Sequence, residues 1–332
     1  MSPAALADAL LDGDQRALAR AISIIEDRAD GHRELLSRLH AHRGGASVVG
    51  VTGSPGTGKS TLVDKLARTY RDQGLTVGVI AVDPASPFSG GSVLGDRIRM
   101  ASTAGDMDVF FRSMSARGSL GGLSAATADT VAALDAFGKD RIIVETVGAG
   151  QNEIDIVRHA DTVAVLVPPE SGDTVQMLKA GILEIGDVFV VNKADLAGVD
   201  RTVRDLEEMV HLAGDDVGSH RADDVEPWSP PVVETVATEG EGVDELVEVF
   251  DEHRDYLEAS GLLERRTRER YADEIRTLLR EDAGRLVEAR IAAGGGIEAQ
   301  VDRVIDGETT PYDVVDELIA PFERAAEDAA GR

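Results

Sequence analysis

The chain has 332 residues, long enough to bury a sizeable core, and its 61 acidic against 34 basic residues give a formal net charge of −27. That balance argues against nucleic acid or an anionic membrane surface as partner, because both are held through basic patches. The absence of cysteine excludes disulfides, thiolate metal sites and a cysteine nucleophile, and points to a cytoplasmic chain.

Of the bases only Lys59, Lys65, Lys139, Lys179 and Lys193 are lysines. With the acidic excess this implies a halophilic source, in which salt screens the self-repulsion. The first residues carry Asp8 and Asp12 and no basic leader, which argues against a secretory signal. The longest apolar run, Thr162 to Pro169, is too short to span a bilayer.

In chain order, residues 3 to 43 place apolar side chains such as Leu18, Ile22 and Ile25 at helical spacing, predicting two or three amphipathic helices packed as an N-terminal cap. From Ser47 the pattern becomes short β-branched runs (SVVGVT, TVGVIAV, DVFF, RIIVETV, TVAVLV, DVFVVN, PVVETV) alternating with helical segments. Such alternation predicts an α/β fold with a mostly parallel sheet covered on both faces. Residues 215 to 230 read as a polar surface insertion. Beyond Tyr256 the chain is charged helix, broken at Gly294-Gly295-Gly296, with a helix start at Thr310-Pro311. The expected division is an N-terminal helical extension at 1–45, an α/β domain at 46–256 and a C-terminal helical arm at 257–332, the arm docking on the main domain or on a second copy of the chain.

The run Gly53-Ser54-Pro55-Gly56-Thr57-Gly58-Lys59-Ser60 fits G-x-x-x-x-G-K-[ST] between a predicted strand and a predicted helix that opens with Thr61. Glycines there let backbone N–H groups face phosphates, the helix N-terminus adds a positive dipole, Lys59 reaches the β- and γ-phosphates, and the Ser60 hydroxyl serves magnesium. Arg141-Ile142-Ile143-Val144-Glu145 ends an apolar run in a carboxylate and continues to Gly148. Glu145 is therefore a candidate for magnesium and Gly148 for a γ-phosphate amide. Asp83 closes another predicted strand and is a second acid of this kind. Either acid could instead be a solvated strand end or a helix cap.

Asn192-Lys193-Ala194-Asp195 follows a further strand and fits N-K-x-D. The Asp195 carboxylate can accept hydrogen bonds from N1–H and the exocyclic amine of guanine, a donor pair that adenine lacks. Asn192 can brace neighbouring loops, and the Lys193 stem can cover the base. A four-residue match is weak alone and strong downstream of the phosphate loop and Glu-x-x-Gly, so GTP is expected over ATP. The third guanine loop is assigned to Val236, Ala237 and Thr238, where a backbone N–H would contact the base.

Beyond these motifs the chain resembles the MeaB/ArgK family of P-loop GTPases, which is associated with adenosylcobalamin-dependent methylmalonyl-CoA mutase. The likeness covers VDPASPFSGGSVLGDRIRM at 82–100, FRSMSARGSLGGL at 111–123, ETVGAGQNE at 145–153, SGDTVQMLKAGILE at 171–184, and segments near both termini. It implies that Asp83, Asp96 and Glu145 surround magnesium and the hydrolytic water, and that the stretches around 83–100, 145–160 and 170–184 act as switches. It also implies a homodimer held through C-terminal helices, and a chaperone that gates cofactor loading and protects or reactivates the mutase. Ala149, in place of a water-positioning glutamine, predicts slow hydrolysis; Gln151 reads as a polar residue at a helix start, with a catalytic role as the alternative. Competing readings are a kinase of periplasmic amino-acid-binding proteins, a metal-insertion GTPase, disfavoured by absent cysteines and scattered histidines, and a nucleotide-binding scaffold without turnover.

Overall fold

All seven β-branched runs form strands. The computed structural model describes residues 1–83, 102–103, 105–115, 120–146, 159–169, 184–214 and 226–330. In order the elements are α1 (Pro3–Leu11), α2 (Gln15–Glu26), α3 (His32–His40), β1 (Ser47–Gly53), α4 (Lys59–Asp72), β2 (Val77–Asp83), β3 (Val109–Ser115), α5 (Leu120–Ala136), β4 (Arg141–Thr146), β5 (Thr162–Val167), β6 (Val188–Asn192), α6 (Val199–Gly214), β7 (Val232–Thr235) and α7 (Val243–Ala259). Three more follow: α8 (Leu262–Ala293), α9 (Gly296–Ile305) and α10 (Pro311–Ala330).

The strands make one parallel sheet in the order β3-β2-β4-β1-β5-β6-β7. Every residue of β1, β5 and β6 is buried, as strands covered on both faces must be. One face packs against α4 and α7 through Leu62, Leu66, Tyr70, Leu246 and Phe250. The other packs against α5, α6 and the three N-terminal helices. Leu6, Leu10, Leu18, Ile22, Leu35 and Leu39 are fully buried and continuous with Ile80, Val82, Ile142 and Val144 of the sheet. The predicted cap is thus part of the core, and Arg112 of β3 pairs with the buried Glu26 of α2 at 2.5 Å.

From β1 the chain crosses to β2 on one side, and from β4 it crosses back over β1 to β5 on the other. β1 and β4 are therefore the neighbours at which winding reverses, and the crevice beyond their C-terminal ends is where such sheets receive ligands.

At the opposite end of the sheet lies a buried polar knot. His253 of α7 is 1% exposed, with Nδ1 2.8 Å from Thr162 Oγ1 and Nε2 3.4 Å from Asp187 Oδ1. The Trp228 ring is 4.7 Å from the imidazole, and its Nε1–H donates to the Asp187 carbonyl. Arg266 of α8 donates to Asp187 Oδ1 at 3.0 Å and to the Asp161 carbonyl at 2.6 Å. Burial pushes the His253 pKa from 6.5 down to about 4, against the pull of Asp187. Above pH 6.5 the folded and unfolded chains both carry a neutral ring. As pH falls towards 4 only the unfolded chain takes the proton, so stability is expected to drop by up to about 3 kcal/mol across that window. Denaturant midpoints at pH 7 and pH 5.5 measure this; His253→Gln should flatten the difference, and an unchanged slope would contradict the assignment.

The compact units are Met1–Thr267 and Arg268–Arg332. In the second, the break after α8 falls at Gly294-Gly295, as expected, and Thr310 and Asp313 cap α10 reciprocally: the Asp313 N–H donates to Thr310 Oγ1, and the Thr310 N–H and hydroxyl donate to Asp313 Oδ2. α8 has no buried residue, and Ile275, Leu279 and Leu286 stand exposed along it.

Candidate functional site at the C-terminal edge of the sheet

β1 runs into the loop 53–58, and α4 begins at Lys59. Gly53 and Gly58 have φ of 146° and 93°, and a Cβ on either would collide, with the Leu166 carbonyl and the Asn192 amide respectively. The loop's path therefore depends on glycine at both positions. No side chain caps α4, which leaves its first-turn N–H groups directed into the loop's concavity. Lys59 is 5% exposed and its Nζ donates to the Gly53 and Ser54 carbonyls at 2.6 and 2.9 Å, so the ammonium lies across the mouth of the loop. Thr57 is buried and its hydroxyl donates to the Ser54 carbonyl. Pro55, Gly56 and Thr61 are exposed.

The acids come from the adjacent strands. Glu145, in β4, is buried, and the Ser60 hydroxyl at the head of α4 donates to its Oε1. Asp83 ends β2, one strand further out, and is half-buried. Asp96, Gly148, Ala149 and Gln151 lie outside the described residues, as do most of the stretches expected to act as switches.

Three strand ends meet at Asn192. This side chain is buried at the end of β6; its Nδ2 donates to the Thr57 carbonyl at 2.7 Å, and its Oδ1 accepts from Thr235 Oγ1 and from the Ala237 N–H, both at 3.1 Å. One amide thus ties the phosphate loop to the loop after β7. Lys193 adopts φ 64°, a left-handed conformation costly for a non-glycine residue, and its Nζ donates to the Gly56 carbonyl at 2.8 Å. Asp195 follows in the exposed turn. The Val236 N–H donates to the Glu241 carbonyl and the Ala237 N–H to Asn192, while Thr238 is exposed at the loop's tip.

Thr235 was not singled out in the sequence, although its hydroxyl completes the Asn192 brace. A threonine closing the apolar strand Val232–Thr235 just before an expected base loop was the available signal.

A glycine loop between strand and uncapped helix, at the switch point of a parallel sheet and bound through an asparagine to an Asn-Lys-x-Asp turn, defines a P-loop GTPase. The family model for methylmalonyl Co-A mutase-associated GTPase MeaB matches residues 18–292, and the chain belongs to that family. A Pyrococcus abyssi protein named "Putative GTPase" is 46% identical, covering 95% of each chain. The mitochondrial methylmalonic aciduria type A homolog of Mus musculus is 30% identical, over 94% of this chain and 78% of that one. Among solved structures, a LAO/AO transport system kinase superposes with a TM-score of 0.68 at 25% identity, covering 97% of both chains. The chain accordingly binds GTP and GDP and hydrolyses GTP.

Proposed function

We propose that this chain is a slow GTPase switch that acts in the cytoplasm as a chaperone of adenosylcobalamin-dependent methylmalonyl-CoA mutase, gating its cofactor loading and protecting or reactivating it. The observation that carries this reading is the match of residues 18–292 to a family described by its association with that mutase.

In this reading the backbone N–H groups of residues 53–61, other than Pro55, which has none, cradle the phosphates and Lys59 supplies positive charge at the β- and γ-positions. The Ser60 hydroxyl in contact with the Glu145 carboxylate is a pair of hard oxygen donors, as magnesium requires, so the residues present fit that ion. Ser60, Glu145 and Asp83, with Asp96, would hold it, and when bound it neutralises charge developing on the phosphates. Asp195 accepts from the guanine donor edge, Asn192 keeps the base and phosphate loops in register, and Lys193 covers the base. Gly148 would give its amide to the γ-phosphate, and Val236, Ala237 and Thr238 would border the base.

The mutase reading predicts that the tagged chain, held in high salt with a non-hydrolysable GTP analogue, co-purifies an adenosylcobalamin-dependent mutase from its own lysate. Failure to retain that enzyme when both proteins are purified and mixed would count against it. Transfer of labelled γ-phosphate to a protein, instead of release as free phosphate, would favour a kinase.

The exposed apolar positions along α8 support a homodimer through the C-terminal arm, because a 32-residue helix with no buried residue needs a partner for its apolar side chains. α7, which contains Tyr256, continues to Ala259, and the first compact unit runs to Thr267. Deletion from Arg268 onward is therefore expected to leave GDP binding intact within about threefold while converting a dimer to a monomer. Light scattering of the truncated chain checks this, and a dimeric mass would contradict it.

A further inference from the structure

Two hydroxyls interrupt an otherwise apolar row across the sheet. On the face covered by the N-terminal helices, neighbouring strands present Met114, Val82, Thr146, Thr52, Val165 and Phe189 in turn. Thr52 and Thr146 are fully buried, and the Thr146 hydroxyl donates to Thr52 Oγ1 at 3.0 Å. Valine has nearly the same shape and would continue the row without a polar group to satisfy.

Their place in the sheet gives the hydroxyls a task. Backbone pairing of β1 with β4 ends at Val51 opposite Glu145. By contrast, β1 stays paired with β5 as far as Gly53 opposite Leu166, and β4 with β2 as far as Thr146 opposite Val82. Among the described residues the β1–β4 pairing thus ends at the switch point, and the threonine bond joins the two strands one step past the last paired residues. Directly before Thr146 stands Glu145, on the opposite face, where it accepts from Ser60. Glu145 is carried by β4, whereas Ser60 is carried by the helix that β1 feeds through its loop. A change in the spacing of these two strand ends is thus a change in the distance between those two side chains.

We infer that the Thr52–Thr146 hydrogen bond sets the β1–β4 spacing that brings Glu145 to Ser60, which makes both threonines positioning residues for magnesium binding. The inference rests on the magnesium reading above.

The test follows release of a fluorescent GDP analogue from the full chain at increasing magnesium. In Thr52→Val, Thr146→Val and the double variant, the magnesium concentration that half-maximally slows release should rise about fivefold, the worth of one hydrogen bond. Release in excess EDTA should be unchanged, serine at either position should restore the magnesium response, and the double variant should fall short of the sum of the two single effects because the shared bond is lost in all three. If a single valine variant does not fold, the double variant, which makes the row wholly apolar, carries the comparison. A wild-type magnesium response in the valine variants overturns the inference. So does an equal change in EDTA with a lowered melting temperature and no rescue by serine, which would mark a merely structural pair. Wild-type release that ignores magnesium overturns the magnesium reading itself, and the inference with it.

Discussion

Lys59→Ala is expected to lower single-turnover GTP hydrolysis by at least about 10²- to 10³-fold, the usual cost of deleting one preorganised electrostatic contact to a developing charge. Two effects act together. The ammonium supplies positive charge at loop 53–58, and it also bridges the Gly53 and Ser54 carbonyls, so its removal takes away their shared donor. Lys59→Arg should not rescue, because the side chain is almost wholly buried and a planar guanidinium is too broad for a position shaped around a compact ammonium. Triphosphate should lose more affinity than diphosphate, since the γ-phosphate depends on this charge. Titration with fluorescent GTP and GDP analogues, alongside thermal melting to confirm folding, measures each part. A rate within about threefold of wild type would remove Lys59 from the mechanism.

Asp195→Asn is expected to weaken GDP binding by about 10⁴-fold and to raise affinity for xanthosine diphosphate, reversing the preference. In the proposed site the carboxylate would accept from two donors on guanine, whereas an amide would present one donor of its own to a base that carries an oxygen where guanine has its amine. The change should be confined to base recognition. Asp195 is exposed on its turn, and the brace that holds the turn runs through Asn192, so the fold and the phosphate loop should be untouched. Asn192→Ala, in contrast, should weaken guanine and xanthine nucleotides alike, because it unties three loops at once. Equal affinity of Asp195→Asn for the two diphosphates, at the wild-type GDP level, would contradict the assignment.

Much of this architecture was legible because its signals are local. Each β-branched run became a strand: β1, β5 and β6 are buried throughout and mostly apolar, whereas the edge strands β3 and β7 also carry Arg112 and the exposed Glu234. The helix start at Pro311 was visible in the threonine that precedes it, whereas α4 begins at Lys59, two residues before the expected Thr61. What stayed hidden depends on partners far apart in the chain. His253, Asp187, Trp228 and Arg266 come from four separate segments, and nothing near His253 in sequence announces a buried imidazole. The N-terminal helices were readable as amphipathic, but their fusion with the sheet core depends on which face of the sheet their leucines meet. Thr52 and Thr146 look like ordinary strand residues until strand order makes them neighbours. Asp96, Gly148 and Gln151 rest on sequence alone, outside the described residues.

The central claim is that one site, built from the ends of β1, β4 and β6, selects guanine and slowly cleaves the nucleotide it holds. Phosphate release by the purified chain, followed in parallel on GTP and ATP with magnesium and high salt, tests it most directly. Release from GTP is expected far below about 10 s⁻¹, a typical metabolic-enzyme rate, with negligible release from ATP. Comparable release from the two triphosphates, or GTP turnover near that metabolic rate without any partner, would contradict it.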